Sequence, residues 1–211
     1  MSSRLIEIFD DEKIIEKIKV KLPYLFHLAE LEASRAGKVG MEVGSIREKI
    51  MIALLIYKFG IKNVDFMIPI TENEVDVKLF EKPISIKTIS GDGGIKAVWT
   101  VDAVSAKEFC KSYIPKADIL LVQIKWNSKG YVYYIPVETQ DIILKEMGFE
   151  KYFKLPKAGT NPRGVEFSKE CKLNLECAPG VKKIDVEWKR PDIGNTLYDA
   201  YRRWVDYWGE E

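Results

Sequence analysis

Two segments decide the fold of this chain: Val75-Asp76-Val77-Lys78-Leu79-Phe80 and Pro83-Ile84-Ser85-Ile86-Lys87-Thr88-Ile89-Ser90. Both are short, rich in β-branched residues and partly alternating, which predicts two neighbouring strands. With Lys82-Pro83 as the turn they form a hairpin, and their polar faces coincide because successive side chains of a strand point to opposite faces. Asp76 and Lys87 are therefore expected to converge where the two strands diverge.

A carboxylate and a lysine placed in this way can hold a metal ion and activate water. Mg²⁺ prefers a sparse set of oxygen ligands, and the carbonyl of Ile86 is available beside Asp76. The glycine-rich loop Gly91-Asp92-Gly93-Gly94 follows at once and permits close approach of a phosphate backbone. The alternative is an ordinary solvated polar face, with Asp76 and Lys87 forming a surface ion pair in an inert DNA-binding module. The two strands alone leave both interpretations open.

A helix upstream supplies a second carboxylate. Ser45 and Glu48 form a capping-box pattern at the start of the strongly apolar segment Ile46–Phe59, which Gly60 ends. Glu48 is then either the capping partner of Ser45 or a carboxylate directed at the edge of the sheet, and both roles can coexist.

The remaining periodicities predict an α/β fold. Helices are predicted at Asp10–Val20 and Tyr24–Ala36, with Pro23 interrupting them, and Asp10 or Asp11 is suited to capping the first. Further predicted strands are Phe66–Ile70, Asp118–Trp126, Tyr131–Pro136 and Gly164–Phe167, and further helices are Asp102–Tyr113, Thr139–Gly148 and Asn195–Trp208. Cys171–Val186 has no clear period. This order of elements indicates a mixed central β-sheet flanked by helices, with a helical region at the N-terminus.

Length and composition predict one folded domain over residues 1–211. It divides into a helical N-terminal part at 1–60, a catalytic α/β core at 61–150, and a recognition and C-terminal part at 151–211. The net charge of +1 neither indicates nor excludes a nucleic-acid partner, because a local basic face is what binds phosphates. The longest apolar run, Ile50–Tyr57, is too short to span a bilayer, so no membrane partner is expected.

The three cysteines indicate the cellular compartment in which the protein is found. Cys110, Cys171 and Cys177 are odd in number and lack the spacing of a zinc site, which predicts reduced thiols in a cytoplasmic protein.

Several residues are candidates for DNA contact. Arg163 lies with Asn161 in the polar loop after Lys157, and an arginine can bind the O6 and N7 atoms of guanine bidentately. Lys96 flanks the second strand and is placed to contact phosphates. Met41, between Gly40 and Glu42, is an apolar side chain in a loop with no obvious core to fill. Such side chains are inserted between base steps by some DNA-binding proteins. For each of these residues an ordinary solvated or folded-back loop is the alternative.

Glu48, Asp76 and Ser85-Ile86-Lys87 together resemble the PD-(D/E)XK nuclease core. They match the variant that lacks the acidic residue two positions before the lysine. Ser85 occupies that position, and the resemblance implies that Glu48 supplies the missing carboxylate. More closely, residues 37–136, and by extension the whole chain, resemble the ThaI-type restriction endonucleases. The triplets Glu170-Cys171-Lys172 and Glu187-Trp188-Lys189 have the letters of the motif only by coincidence, since neither lies on a predicted hairpin.

The resemblance implies a type II restriction endonuclease that cuts double-stranded DNA at CGCG to blunt ends. Glu48, Asp76 and Lys87 would be catalytic, with Mg²⁺ held by Asp76, the Ile86 carbonyl and Glu48, and no nucleotide cofactor is expected. The methionine that matches Met41 would intercalate into the CG steps. A palindrome needs two symmetric active sites, which favours a homodimer. A repair or resolving nuclease with the same core is the alternative enzyme.

Overall fold

The centre of the protein is a mixed β-sheet, as the sequence predicts. The structure, a computed structural model, describes residues 3–35, 38–40, 42–69, 72, 74–98, 103–154, 164–192 and 208–209. In these ranges the helices are α1 (Glu7–Asp10), α2 (Glu12–Glu32), α3 (Val43–Phe59), α4 (Ala103–Ser112), α5 (Val137–Met147), α6 (Phe149–Tyr152) and α7 (Lys169–Cys177). The strands are β1 (Ser34–Arg35), β2 (Lys38–Val39), β3 (Val64–Asp65), β4 (Val77–Leu79), β5 (Lys82–Ser90), β6 (Lys96–Val98), β7 (Asp118–Ile124), β8 (Ser128–Ile135), β9 (Phe153–Lys154), β10 (Val165–Phe167) and β11 (Lys182–Trp188).

The main sheet has the strand order β11-β8-β7-β5-β4-β3 in the described part of the chain. β5 and β7 are parallel, and the chain between them contains α4, whereas the other neighbouring pairs are antiparallel. A smaller sheet has the order β6-β10-β9, and β1 pairs with β2 directly before α3. The predicted mixed sheet flanked by helices is thus confirmed.

Both faces of the main sheet are covered, which makes β7 its most buried strand. All seven residues of β7 are buried. Leu120 and Val122 pack in a core with residues of α1, α2 and α3, whereas Ile119 and Leu121 pack in a second core with residues of α4 to α7. Strand alternation therefore divides the apolar residues between two layers of helices.

The predicted break at Pro23 is wrong, because α2 continues through it from Glu12 to Glu32. Pro23 removes one backbone hydrogen bond from the helix. Leu22 and Phe26 on either side of it are buried in the core, and packing of an apolar face contributes most of the stability of helices in proteins. The predicted N-cap is confirmed at Asp11, whose carboxylate accepts hydrogen bonds from the N–H groups of Lys13 and Ile14.

The turn between β4 and β5 lies two residues earlier than predicted, at Phe80 and Glu81. Both residues have positive φ angles, 47° and 64°, and Leu79 pairs with Lys82 across the turn. Two consecutive residues of positive φ match the twist of a two-residue hairpin. Phe80 packs on the ring of Phe59 at 5.9 Å, a tertiary contact that stabilises this unusual choice of residue.

Two other predictions change. The strand expected at Phe66–Ile70 is wrong for its described residues, 66–69, which lie after the two-residue strand β3 and form no strand, and Met67 is 81% exposed. The segment Cys171–Val186, which showed no period, forms most of α7 and β11. The predicted helix Asn195–Trp208 lies outside the described residues except for Trp208. No helix in the described ranges combines the length and the apolar character needed to cross a membrane.

Candidate active site

The backbone pairing of β4 with β5 ends at Asp76. Beyond this point the side chain of Asp76, rather than a backbone carbonyl, accepts the next hydrogen bond from β5. The N–H of Asp76 donates to the carbonyl of Ile84 at 3.0 Å, and the next N–H of β5 on that side, from Ile86, donates to Asp76 Oδ2 at 2.6 Å. Because the N–H and C=O of one strand residue point to the same side, the Ile86 carbonyl is directed towards β4 as well. The carboxylate of Asp76 and the carbonyl of Ile86 therefore lie on the same side of β5.

Lys87 and Ser85 share the face of Asp76, as the alternation predicts. Lys87 Nζ lies 3.6 Å from Asp76 Oδ2, and Ser85 Oγ donates to the same oxygen at 3.2 Å. The side chains of Asp76 and Lys87 are each 20% exposed, so they are shielded on most sides but open to one. This arrangement differs from a solvated surface pair, which would be largely exposed.

Glu48 joins these residues from α3. The predicted capping box is wrong, because α3 begins at Val43 and Ser45 already lies within its first turn. Burial raises the pKa of Glu48, the carboxylate of Asp76 raises it further, and Lys87 lowers it. The structure thus brings together the three predicted catalytic residues, with two carboxylates close enough to repel each other.

These residues line one cleft of about 470 Å³. The start of α3 forms one wall with Gly44, Ser45 and Glu48. The opposite wall is the chain that leaves β5, including Gly93, Gly94 and β6. The glycine loop therefore borders the cleft, as its position after β5 suggested, and Lys96 at the start of β6 lines the same space.

A third carboxylate, Glu74, lies behind the cleft and was not predicted as a site residue. It borders a small cavity together with Ser85, Lys87 and Tyr113. Burial raises the pKa of Glu74, whereas Lys116 and Lys87 lower it. The signal in the sequence was its place two residues before Asp76 on the same strand face.

A second cleft, of about 520 Å³, is lined by two acidic residues, Asp118 and Glu138. Asp118 is 5% exposed and uses both carboxylate oxygens within the protein, accepting from the Val137 N–H at 2.9 Å and the Tyr134 hydroxyl at 3.4 Å. Asp118 is therefore structural. In the described part of the chain no group of three or more His, Cys, Asp or Glu side chains is gathered as a metal cluster.

Most of the other predicted DNA-contact residues are not covered by the described part of the structure. Met41, Lys157, Asn161 and Arg163 lie outside the described residues, and their roles stay predictions. Neither motif-like triplet lines the cleft. One lies in α7, where Lys172 donates to the carbonyl of Gly93 at 3.3 Å, and the other ends β11 at the edge of the main sheet.

Comparison with known proteins gives concordant results. The family model described as "Restriction endonuclease ThaI" matches residues 8–210. A solved structure described as "Restriction endonuclease in complex with substrate DNA" is similar at a TM-score of 0.89 and 54% sequence identity, covering 99% of this chain and 100% of that one. Comparison with curated proteins gives no match.

Proposed function

The chain belongs to the ThaI restriction endonuclease family and is a type II site-specific deoxyribonuclease, and from this we propose that Glu48, Asp76 and Lys87 are its catalytic residues. The observation that carries the assignment is their convergence in one cleft, with Lys87 Nζ 3.6 Å from Asp76 Oδ2. Family membership favours a restriction enzyme over a repair nuclease or an inert binding module.

The residues of this cleft fit a divalent metal ion, which we propose to be Mg²⁺. Asp76 and Glu48 offer carboxylate oxygens and Ile86 a carbonyl, the hard oxygen ligands that Mg²⁺ takes in small number alongside water and phosphate. The three protein contacts of Asp76 converge on Oδ2, and within the described residues Oδ1 accepts no hydrogen bond. When bound, the ion would polarise the scissile phosphate.

Lys87 is proposed to act on the attacking water and on the phosphate. Its amino group, held beside Asp76, is placed to orient the attacking water or to take up its proton, and the ammonium form would stabilise the charge that develops on the phosphate. In-line attack by that water breaks the P–O3′ bond and leaves a 5′-phosphate and a 3′-hydroxyl.

The substrate is proposed to be double-stranded DNA containing CGCG, cut to blunt ends by a homodimer. The solved relative is described as bound to substrate DNA, which supports the DNA part of this proposal. Lys96 in the cleft suits a phosphate contact, and Lys157, Asn161 and Arg163, in the part 151–211 that we assign to recognition, suit contacts to a G·C-rich site. Two-fold symmetry of the site calls for two copies of the cleft.

Cleavage of two matched DNA molecules tests this function. A linear fragment with one CGCG site should give two blunt-ended products, whereas the same fragment changed to CGAG should stay intact. EDTA should abolish cleavage and Mg²⁺ restore it, and sedimentation should give the mass of two chains. Cutting that depends on DNA structure, or that occurs equally in both fragments, would overturn the assignment.

We further propose that Met41 intercalates at the recognition site. The residues that flank it are held close to each other, because the N–H of Val43 donates to the carbonyl of Gly40 at 3.4 Å. Gly40 is itself closely packed, because a Cβ at position 40 would lie 2.9 Å from the carbonyl of Ala33. In the sequence, position 41 comes two residues before the start of α3, the helix that carries Glu48.

Met41→Ala should weaken binding to CGCG DNA by about 10-fold or more and reduce DNA unwinding, because unstacking a base step costs a few kcal/mol that the inserted side chain offsets. Affinity and topoisomer shift of a relaxed plasmid measure this. Met67→Ala, at an exposed methionine, is the control. Unaltered affinity and unwinding in Met41→Ala would contradict the proposal.

A further inference from the structure

Glu30 of α2 receives three donors from three different parts of the protein. Its Oε1 accepts from Arg47 Nη2 at 2.6 Å and from Trp126 Nε1 at 2.7 Å, and its Oε2 accepts from Arg190 Nη2 at 3.0 Å. Glu30 and Arg47 are only 7% and 5% exposed. A buried carboxylate with both oxygens occupied is held in one position, and so is the buried partner that it binds.

Arg47 lies in the buried stripe of α3 and is followed at once by Glu48. The other buried residues of α3 are Met51 and Leu55, four and eight positions later, so Arg47 continues the stripe into the first turns of the helix. The guanidinium also lies over the ring of Phe26, with its carbon 5.6 Å from the ring centre. Since neighbouring residues are about 100° apart around a helix, fixing Arg47 fixes the direction of Glu48.

We propose that the Glu30–Arg47 ion pair is a positioning pair, which holds the cleft end of α3 so that Glu48 faces Asp76 and Lys87. The inference rests on the proposed function in one respect, the role of Glu48 as a catalytic carboxylate. Neither Glu30 nor Arg47 lines the cleft, so both act through Glu48.

The location of the pair favours this role over a general contribution to stability. A buried ion pair is often no more stabilising than apolar side chains of the same volume, whereas it defines one geometry. Another ion pair, at the far end of α3, joins Lys58 to Asp11, the N-cap of α2. That pair joins the helices without lying near Glu48, and so it offers an internal comparison.

Arg47→Met tests the proposal, because methionine keeps the apolar volume and Trp126 and Arg190 still bind Glu30. We expect kcat for CGCG cleavage to fall about 10- to 100-fold and the half-saturating Mg²⁺ concentration to rise, the range typical of losing a partner that orients a ligand. DNA affinity measured in EDTA should change less than about twofold.

Two controls separate positioning from stability. Lys58→Met removes the far ion pair, and Leu55→Ala weakens the same helix by removing apolar packing. Both should keep kcat and the Mg²⁺ dependence within about twofold of the parent protein when assayed well below their melting temperatures. Arg47→Lys, which retains the cation, should lie between the parent and Arg47→Met, and it replaces Arg47→Met if that variant does not fold.

The outcomes distinguish two failures. If Glu48→Ala cleaves as fast as the parent protein, the catalytic assignment of Glu48 is wrong. If Glu48→Ala is inactive but the Arg47 variants have the kcat and Mg²⁺ dependence of Lys58→Met and Leu55→Ala, the positioning role is overturned while the proposed function stands.

Discussion

Asp76→Asn is expected to lower the rate of CGCG cleavage by about 10³-fold while leaving the fold intact, because Lewis-acid action of a metal is worth several kcal/mol of transition-state stabilisation. Asparagine retains an oxygen that can accept from the Ile86 N–H, now 2.6 Å from Asp76 Oδ2. The substitution therefore removes the negative charge and preserves the hydrogen bond between position 76 and the Ile86 N–H, at the point where β4 and β5 diverge. Single-turnover cleavage with saturating enzyme measures the rate.

Lys87→Ala should lower the same rate by about 10²- to 10⁴-fold, the range for losing a group that positions or moves a proton. The double variant Asp76→Asn/Lys87→Ala should be hardly slower than the worse single variant, because residues that act as a unit are not additive. A double variant with the full product of both effects would contradict a shared catalytic role.

Matched controls come from positions on β4 and β11 that do not line the cleft. Lys78→Ala removes a lysine of β4 that pairs with Glu72 outside the cleft, and Asp185→Asn removes the charge of a half-exposed aspartate on β11. Both should cleave within about twofold of the parent rate, since surface ion pairs contribute roughly 0–1 kcal/mol. If Lys78→Ala is as slow as Lys87→Ala, the assignment of the cleft is wrong.

Trp188→Ala should cost about 3–5 kcal/mol of the free energy of unfolding, as large aromatic-to-alanine changes in a core do. Trp188 ends β11 with no exposed surface, and its ring centre lies 5.6 Å from those of both Phe26 and Trp126. Gly130 on β8 makes room for the indole, because a Cβ there would lie 2.6 Å from Trp188 Nε1. For a protein of this size the loss corresponds to a melting temperature lower by about 6–20 °C.

Two controls calibrate that loss. Trp188→Phe keeps an aromatic ring, and within the described residues Nε1 has no hydrogen-bond partner to lose, so a cost below about 1.5 kcal/mol is expected. Trp208→Ala, at a tryptophan that is 91% exposed, should change the stability by less than about 0.5 kcal/mol. If Trp188→Ala and Trp208→Ala had the same melting temperature, the predicted contribution of Trp188 to the stability of the core would be wrong.

Local pattern predicted the half of the site that lies on β4 and β5. Alternation placed Asp76, Ser85 and Lys87 on one face, and the pairing of the two strands is enough to bring those side chains together. The prediction of the turn failed, since the turn lies at Phe80 and Glu81, which have positive φ angles, and Phe80 packs against Phe59, a residue of α3 that is distant in sequence.

Local patterns were less successful in predicting where α3 begins and that β11 is a strand. The Ser45 and Glu48 pattern is that of a capping box, yet α3 begins earlier, at Val43, and Glu48 lies at the cleft. β11 alternates apolar and polar residues from Ile184 to Trp188, which is a strand signal that the interpretation of Cys171–Val186 missed, and it pairs with β8 over seven residues.

The amino-acid sequence by itself determined the α/β class, the apolar helix that carries Glu48, and the polar face with Asp76 and Lys87, because pleat and helix periodicity are local properties of the chain. Only the tertiary structure decided that Glu48 reaches the cleft of Asp76 and Lys87 and that Glu30 holds Arg47 beside Glu48. These contacts join residues that are distant in sequence. Their geometry follows from how α2 and α3 pack on the sheet, which no periodicity of a single segment contains.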